Sequence, residues 1–465
     1  MALAACALPI EPAESGVTAP ERFVAGAAVP AAAPAPDPAW WREFGAPDLD
    51  RIMAAAMEGN LDLAAATARL RQADETLRIA GAQLLPLVEG SVSVGRARGT
   101  SATPGTPANA GRFYGATLQA SYQVDFWGGL SAQEQAARDS VTAAAFAIGT
   151  VTLATQSAVA TTLFDLLGAQ EQLATQRDNL RIAERTLGIL RQRLAVGTAT
   201  GLDVAQQEAV VAQQRAQIPP LQQTVEANTF ALATLAGLLP AEVTVAGQRL
   251  AAIRVPEIAP GLPSAVLIRR PDVRQAEANL AAGSADVTAA RAALFPTIAL
   301  TAEGGLQSIA LQTLLRPGAT IYSIAVGLTQ TLFDGGALRA QLALTRARRE
   351  ELLANYRKAI LSGLQDAETS LSALQRNREL VTLQTARVEA AQRAYTVAEA
   401  QFSAGTIDLL TVLNTQTTLF NARLALAQAQ ASRLQAAAAL FTALGGGWTV
   451  ESLRAVQAAA GGPAP

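Results

Sequence analysis

The sequence predicts a mainly α fold that contributes four strands per chain to a membrane β-barrel, with the whole plan duplicated internally. Three observations predict it. Landmarks recur at an offset of about 208 residues: Leu85-Pro86 returns as Phe295-Pro296, Phe126-Trp127-Gly128-Gly129-Leu130 as Phe333-Asp334-Gly335-Gly336-Ala337, and Gly197-Thr198 with Leu202 and Val204 as Gly405-Thr406 with Leu410 and Val412. Each copy holds a proline-free stretch of about 65 residues rich in Ala, Leu, Gln, Arg and Glu, with apolar residues at three- and four-residue spacing. Each copy also holds two runs of about ten residues in which apolar and polar side chains alternate.

In chain order, residues 1–39 are rich in Pro and Ala and read as a tether. Within them Leu3-Ala4-Ala5-Cys6 resembles a bacterial lipobox, in which the chain is cut before the cysteine and the thiol carries diacylglycerol. Cys6 is the expected lipidation site, and a thiol without a role is the alternative. The first repeat is expected over 40–238, with strands at about 87–97 and 112–126. In the second of these, Tyr114, Ala116, Leu118, Ala120, Tyr122 and Val124 fall on one face and Gln119, Ser121, Gln123 and Asp125 on the other.

A long helix follows over 128–196, and at about 1.5 Å per residue it reaches on the order of 100 Å. Its uncharged stretch from Ser140 to Phe164 is rich in Thr and Ser, and the matching stretch of the second copy carries Arg348, Arg349, Glu350 and Glu351. Lipid would not tolerate that exchange, so both are read as helix below the membrane. Gly197-Thr198 turns the chain into a return helix over 202–238, which Pro219-Pro220 must break or kink. A linker over 239–261 leads to the second repeat over 262–446, with strands at about 297–307 and 320–332. Its long helix spans 335–404 and its return helix 409–444, before a tail over 447–465.

Strands of about ten residues can cross a bilayer when tilted, and alternation by itself suits a half-buried soluble sheet as well. The connections favour the membrane: each strand pair is joined by a long polar or flexible segment, Gly99 to Gly111 and Ser308 to Ala319, while the opposite ends pass straight into long helices. Four strands cannot close a barrel in lipid, so copies of the chain must associate.

Composition removes several other functions. The chain has no histidine, which takes away the commonest general base and metal ligand. A single cysteine forbids an internal disulfide and CxxC metal spacing, and no metal or cofactor is expected. A net charge of -2 gives no basic footprint for nucleic acid. Glu89, Asp125 and Glu303 are carboxylates an enzyme could use, but nothing in the sequence brings two of them together, so no catalytic residue is expected.

The segment Leu267-Ile268-Arg269-Arg270-Pro271-Asp272-Val273-Arg274-Gln275-Ala276-Glu277, followed by Ala289-Ala290-Arg291-Ala292-Ala293-Leu294-Phe295-Pro296-Thr297-Ile298, resembles a stretch shared by outer-membrane lipoproteins of resistance-nodulation-division (RND) efflux systems. These form the NodT-like branch of the TolC-like outer membrane factors, and the resemblance runs from Trp40-Trp41 to Gly446. It implies a homotrimer whose strands form one twelve-stranded barrel in outer-membrane lipid, continued by a helical barrel through the periplasm. It also implies a passive exit channel for small molecules, served by a periplasmic adaptor and an inner-membrane RND transporter. A channel of the same fold for type I protein secretion and a periplasmic coiled-coil structural protein are the alternatives.

Arg269, Arg270, Pro271 and Asp272 read as a helix start, because Pro suits the first turn and Asp its positive end. Both Gly-Thr turns match the family's periplasmic tips. Gly197, Thr198, Leu202, Asp203, Gly405, Thr406 and Leu410 are therefore expected to form the tip turns and the adaptor-docking surface. Related channels often close this end with aspartate rings. Here Thr411 and Asn414 occupy the matching positions, so with Asp408 they are the candidates for a pore constriction that is hydrogen-bonded, or apolar through Leu409 or Leu413.

Overall fold

A computed structural model of the chain describes residues 8–10, 15–25, 37–98, 110–258 and 261–449. After a short 3-10 turn at Trp40–Phe44, helix α1 (Pro47–Gly59) opens on a proline and buries Leu49, Ile52, Met53 and Ala56 along one face. Helix α2 (Leu61–Ala82) is capped by Asn60, whose side chain accepts from the backbone N–H groups of Asp62 at 2.9 Å and Leu63 at 3.1 Å. Strands β1 (Leu87–Arg98) and β2 (Ala110–Val124) follow. Helix α3 (Gly129–Ala195) is 67 residues long.

The return from α3 is made in two pieces, α4 (Gly201–Ala216) and α5 (Ile218–Ala236), parted at Gln217. Pro219 and Pro220 sit in the first turn of α5, where their missing N–H groups leave the helix hydrogen-bond ladder open. Beyond the linker come α6 (Pro263–Arg269), α7 (Pro271–Ala292), β3 (Thr297–Ser308) and β4 (Thr320–Thr329). Helix α8 (Ala337–Ser403) is again 67 residues long, and α9 (Leu409–Ala443) returns unbroken for 35. β4 stops at Thr329, three residues short of its expected end at 332, and Gln330 turns its amide onto Leu294 O and Thr331 O.

The four strands form one antiparallel sheet in the order β1-β2-β3-β4, so β1 and β4 are its open edges. All the long helices leave the sheet at one end. The central core packs Trp40, Phe44, Leu49, Ile52 and Met53 against Val159, Leu163, Phe164 and Leu166 of α3 and Leu434 and Phe441 of α9. Trp40 stacks on Phe441 with ring centroids 5.0 Å apart, which fastens the first described helical turn to the last long helix. A second core at the far tip joins Leu190 of α3 to Tyr395 of α8 and Leu409, Val412 and Leu413 of α9.

One window of α3 is apolar enough to cross a membrane, with mean hydropathy 1.4, but 44% of it is buried inside the chain. Helices α2, α4, α5, α7 and α9 all pack on α3. Its Thr and Ser hydroxyls turn back on their own helix, as in Ser140 to Ala136 O at 2.8 Å and Thr152 to Ile148 O at 2.8 Å.

The described part of the expected tether is docked. Phe23 is buried beside Val266, Ala367 and Leu440, and the backbone N–H groups of Val24 and Ala25 donate to Glu368 at 2.6 and 2.8 Å. Arg357 donates to Ser15 O at 2.7 Å, and Leu8 N–H donates to Trp127 O at 3.3 Å. The reason is visible in composition, since Phe23 is the one aromatic residue before Trp40 and burying it holds the polar backbone around it. Cys6 lies outside the described residues, as does the tail from 450 onward. Gly447 and Trp448 pack on the body: Gln156 donates to Gly447 O at 3.0 Å, and Trp448 meets Phe146 edge-on.

Candidate functional site

Register decides what the sheet presents. Val88, Val92 and Val94 of β1 pair with Ala120, Ala116 and Tyr114 of β2. Those β2 residues, with Leu118 and Tyr122, pair with Ala302, Leu306, Ser308, Gly304 and Leu300 of β3. Ile298, Leu300, Ala302 and Gly304 pair in turn with Leu328, Val326, Ile324 and Tyr322 of β4. Residues directly opposite in a ladder share a face, so one side of the sheet is apolar from edge to edge. It is also uncovered, with Val92 83%, Ile324 82% and Leu328 70% exposed. A patch of that size marks an interaction surface.

The other face is polar. Glu89, Gln119, Glu303 and Ser323 form one row across the four strands, and Ser91 and Thr117 bridge hydroxyls at 2.8 Å in the next. With strands about 4.8 Å apart, Glu89 and Glu303 stand about 10 Å from each other with Gln119 between them. Asp125, the third carboxylate of interest, accepts from Leu130 N–H at 2.9 Å and Ser131 N–H at 2.8 Å and caps α3. No carboxylate pair is assembled from the three.

The sheet joins the helices through landmarks that the duplication had marked. Trp127 stacks on Phe295 at 4.7 Å and donates its indole N–H to Pro296 O at 2.7 Å. A residue of the first repeat thus holds the strand entry of the second.

Arg269, Arg270, Pro271 and Asp272 form the α6–α7 junction. Arg270 caps nothing with its own side chain but binds Asp272 through two nitrogens at 3.0 and 2.7 Å, Asp366 of α8 at 2.9 Å and Ala443 O of α9 at 3.3 Å. Burial pulls its pKa down, and the hydrogen bonds and charges of Asp272 and Asp366 outweigh that and leave it above the ordinary value. The fork of the guanidinium grips the Asp272 carboxylate with two nitrogens while reaching α8 and α9, a bidentate geometry that a lysine ammonium does not offer. Arg269 stands beside it, its carbonyl close against Gly445.

The two tips are built alike. Gly197 (φ 78°) and Gly405 (φ 74°) take the left-handed conformation. Thr198 N–H then reaches back to Arg193 O at 2.8 Å and Thr406 N–H to Gln401 O at 2.9 Å, closing the ends of α3 and α8. In the first tip Thr200 and Asp203 form a capping box. In the second the chemistry is exchanged: Asp408 is the cap and accepts Thr411 N–H at 3.0 Å as well as the Thr411 hydroxyl. That hydroxyl first, and then the backbone N–H, hold the Asp408 carboxyl below its usual range.

Leu202 and Leu410 are 66% and 56% exposed, one at each tip. Asn414 is exposed one turn beyond Leu410. Leu409 and Leu413 are buried in the tip core, so neither is free to form an apolar constriction. Sequence reasoning missed Arg193, whose guanidinium donates to Phe402 O at 3.2 Å and Ser403 O at 3.1 Å and lies 4.7 Å from the Phe402 ring. It bridges the two tips, and its one visible signal is a basic residue in the last turn of α3.

The model of the outer membrane efflux protein family matches residues 52–238 and 262–446. The pyoverdine export outer membrane protein OpmQ of Pseudomonas aeruginosa is 41% identical over 455 residues, covering 96% of this chain and 95% of that protein. The toluene efflux pump outer membrane protein TtgC of Pseudomonas putida is 30% identical, covering 90% and 87%. Among solved structures, the outer-membrane channel OprN superposes with a TM-score of 0.89 at 26% identity, over 94% of this chain and 99% of that one.

Proposed function

This chain belongs to the outer membrane efflux protein family, and from that premise we propose that three copies close a twelve-stranded barrel to make the passive exit duct of a tripartite export pump. It is an outer-membrane efflux channel, not an enzyme, and its fold is that of the trimeric outer-membrane channels. The observation that carries the reading is the sheet. It has an exposed apolar face and two unpaired edges, which is tolerable in lipid only if neighbouring copies satisfy both edges. Below it, helices of 67 residues extend about 100 Å, enough to conduct cargo well away from the bilayer.

The proposed cargo is small organic molecules, delivered by a periplasmic adaptor and an inner-membrane RND transporter. OpmQ is named for pyoverdine and TtgC for toluene, both organic compounds. Adaptor docking is assigned to the tips, where Leu202 and Leu410 offer equivalent exposed apolar contacts beside Gly197-Thr198 and Gly405-Thr406. Thr411 and Asn414, with Asp408, are proposed to line the narrowest part of the duct. Lipid anchoring is proposed at Cys6, because Leu8, two residues on, is bonded to Trp127 O at the junction of sheet and helices. An acyl chain there would enter the inner leaflet beside the barrel.

Purified outer-membrane material should migrate as a trimer and form pores in a planar bilayer. A soluble monomer without conductance would sink the channel reading. Export that survives a protonophore but stops on ATP depletion would exclude an RND partner while leaving the duct intact. Unchanged single-channel conductance in an Asn414→Ala trimer would remove Asn414 from the constriction.

A further inference from the structure

We propose that Arg96 and Arg112 form a binding site for the phosphate of an outer-leaflet lipid headgroup, on the outside of the barrel. The two residues are directly opposite in the β1–β2 ladder and both are exposed. By alternation they lie on the apolar face, one rung beyond Val94 and Tyr114. Like charges facing each other across a ladder destabilise it, so the pair needs an anion that the sheet itself does not supply.

The local charge balance is one-sided. Residues 90–124 and 304–333 contain Arg96, Arg98, Arg112 and Arg316, and no Asp, Glu or Lys, in a chain whose net charge is -2. Among the described residues no carboxylate bonds to Arg96, Arg112 or Arg316. The glutamates of the sheet, Glu89 and Glu303, stand on the opposite face.

Position names the ligand. On β2, Tyr122 and Tyr114 lie on the apolar face eight residues apart, with Ala116, Leu118 and Ala120 between them. At about 3.3 Å per residue they bracket about 27 Å of strand, which at a tilt of about 40° spans about 20 Å, most of the apolar band between the two aromatic girdles. Tyr122 is at the helix end, so Tyr114 marks the outer boundary, and Arg112 and Arg96 come about 7 Å further along the tilted strand, about 5 Å further out, at headgroup depth. Two guanidiniums on one rung present paired N–H donors, the geometry that grips a phosphate monoester.

This inference rests on the channel reading. Its test uses full-length trimer, wild type and Arg96→Gln/Arg112→Gln, in nanodiscs of phosphatidylcholine doped with bis-phosphorylated or dephosphorylated lipid A. Co-purified lipid is measured by native mass spectrometry, and conductance in a neutral bilayer reports that each trimer is assembled. Wild type should retain the phosphorylated lipid about tenfold more than the double variant, and the dephosphorylated lipid should show no such difference. Equal retention by a conducting double variant overturns the site. So does a wild type that holds both lipids equally, or one in which inorganic phosphate displaces the lipid at equal concentration. Loss of conductance in wild type would instead strike the channel reading itself.

Discussion

At the scale of single residues, the two repeats solve the same problem with exchanged chemistry. A long helix must be capped where it leaves the sheet, and Asp125 does this before Phe126 in one repeat while Asp334 does it after Phe333 in the other, accepting from Gly336 N–H at 2.8 Å and Leu338 N–H at 2.7 Å. The tips exchange Thr200/Asp203 for Asp408/Thr411 in the same way. Motif reading sees Asp408 as a possible pore residue and Asp125 as a possible catalytic carboxylate, because capping is a matter of backbone direction that composition does not display. Asp408 carries a pH prediction. Its carboxyl is held low, so its capping contribution is fully present above the unfolded value of 3.8 and is lost as pH falls through the lower folded value. Cleavage at the tip by pepsin, relative to an Asp408→Asn trimer, should therefore rise as pH falls from 3.8 through that lower value. The turn glycines carry another: Gly197→Ala or Gly405→Ala forces a Cβ into the left-handed region and should cost about 1 kcal/mol each, read as a lowered midpoint of thermal unfolding by circular dichroism.

At the scale of elements, the duplication is imperfect where the return helices differ. α9 runs for 35 residues, whereas α4 and α5 are parted at Gln217 by the prolines at 219 and 220. The missing N–H groups leave the carbonyls of Arg215 and Ala216 without their helical donors. Amide hydrogen exchange should therefore be faster over 213–223 than over the equivalent 421–431 of α9, and replacing both prolines with Ala should remove the difference. Equal protection in the wild type would mean that tertiary packing, not the local ladder, governs opening there. Strands were legible for a simpler reason: a two-residue period and a Gly-Gly or Pro boundary are local signals. The tether was harder to read, since a Pro/Ala-rich segment has no periodicity and only the burial of Phe23 reveals that it is docked.

At the scale of the whole molecule, the sheet is the part that one chain leaves unfinished. The band of its apolar face between Tyr114 and Tyr122 should tolerate no charge. Ile324→Arg, in mid-strand on that face, should cost about 2–4 kcal/mol in lipid and abolish trimers in the outer membrane. Ser323→Arg, one residue earlier, faces Glu303 across the ladder on the polar side and should assemble normally. Trimer yield on semi-native gels distinguishes the two, and equal behaviour would mean that neither face meets lipid.

The sequence alone determined the class of fold, the duplication, the two long rods and the strands, because each is written in a period or a repeated landmark that survives without knowledge of neighbours. Tertiary structure decided which residues meet. Only the register joins Glu89, Gln119, Glu303 and Ser323 in one row and sets Arg96 against Arg112, and only packing buries Leu409 and Leu413 while leaving Leu410 outside. A slip of one residue in a ladder would exchange every face, and no local pattern encodes the partner that prevents it.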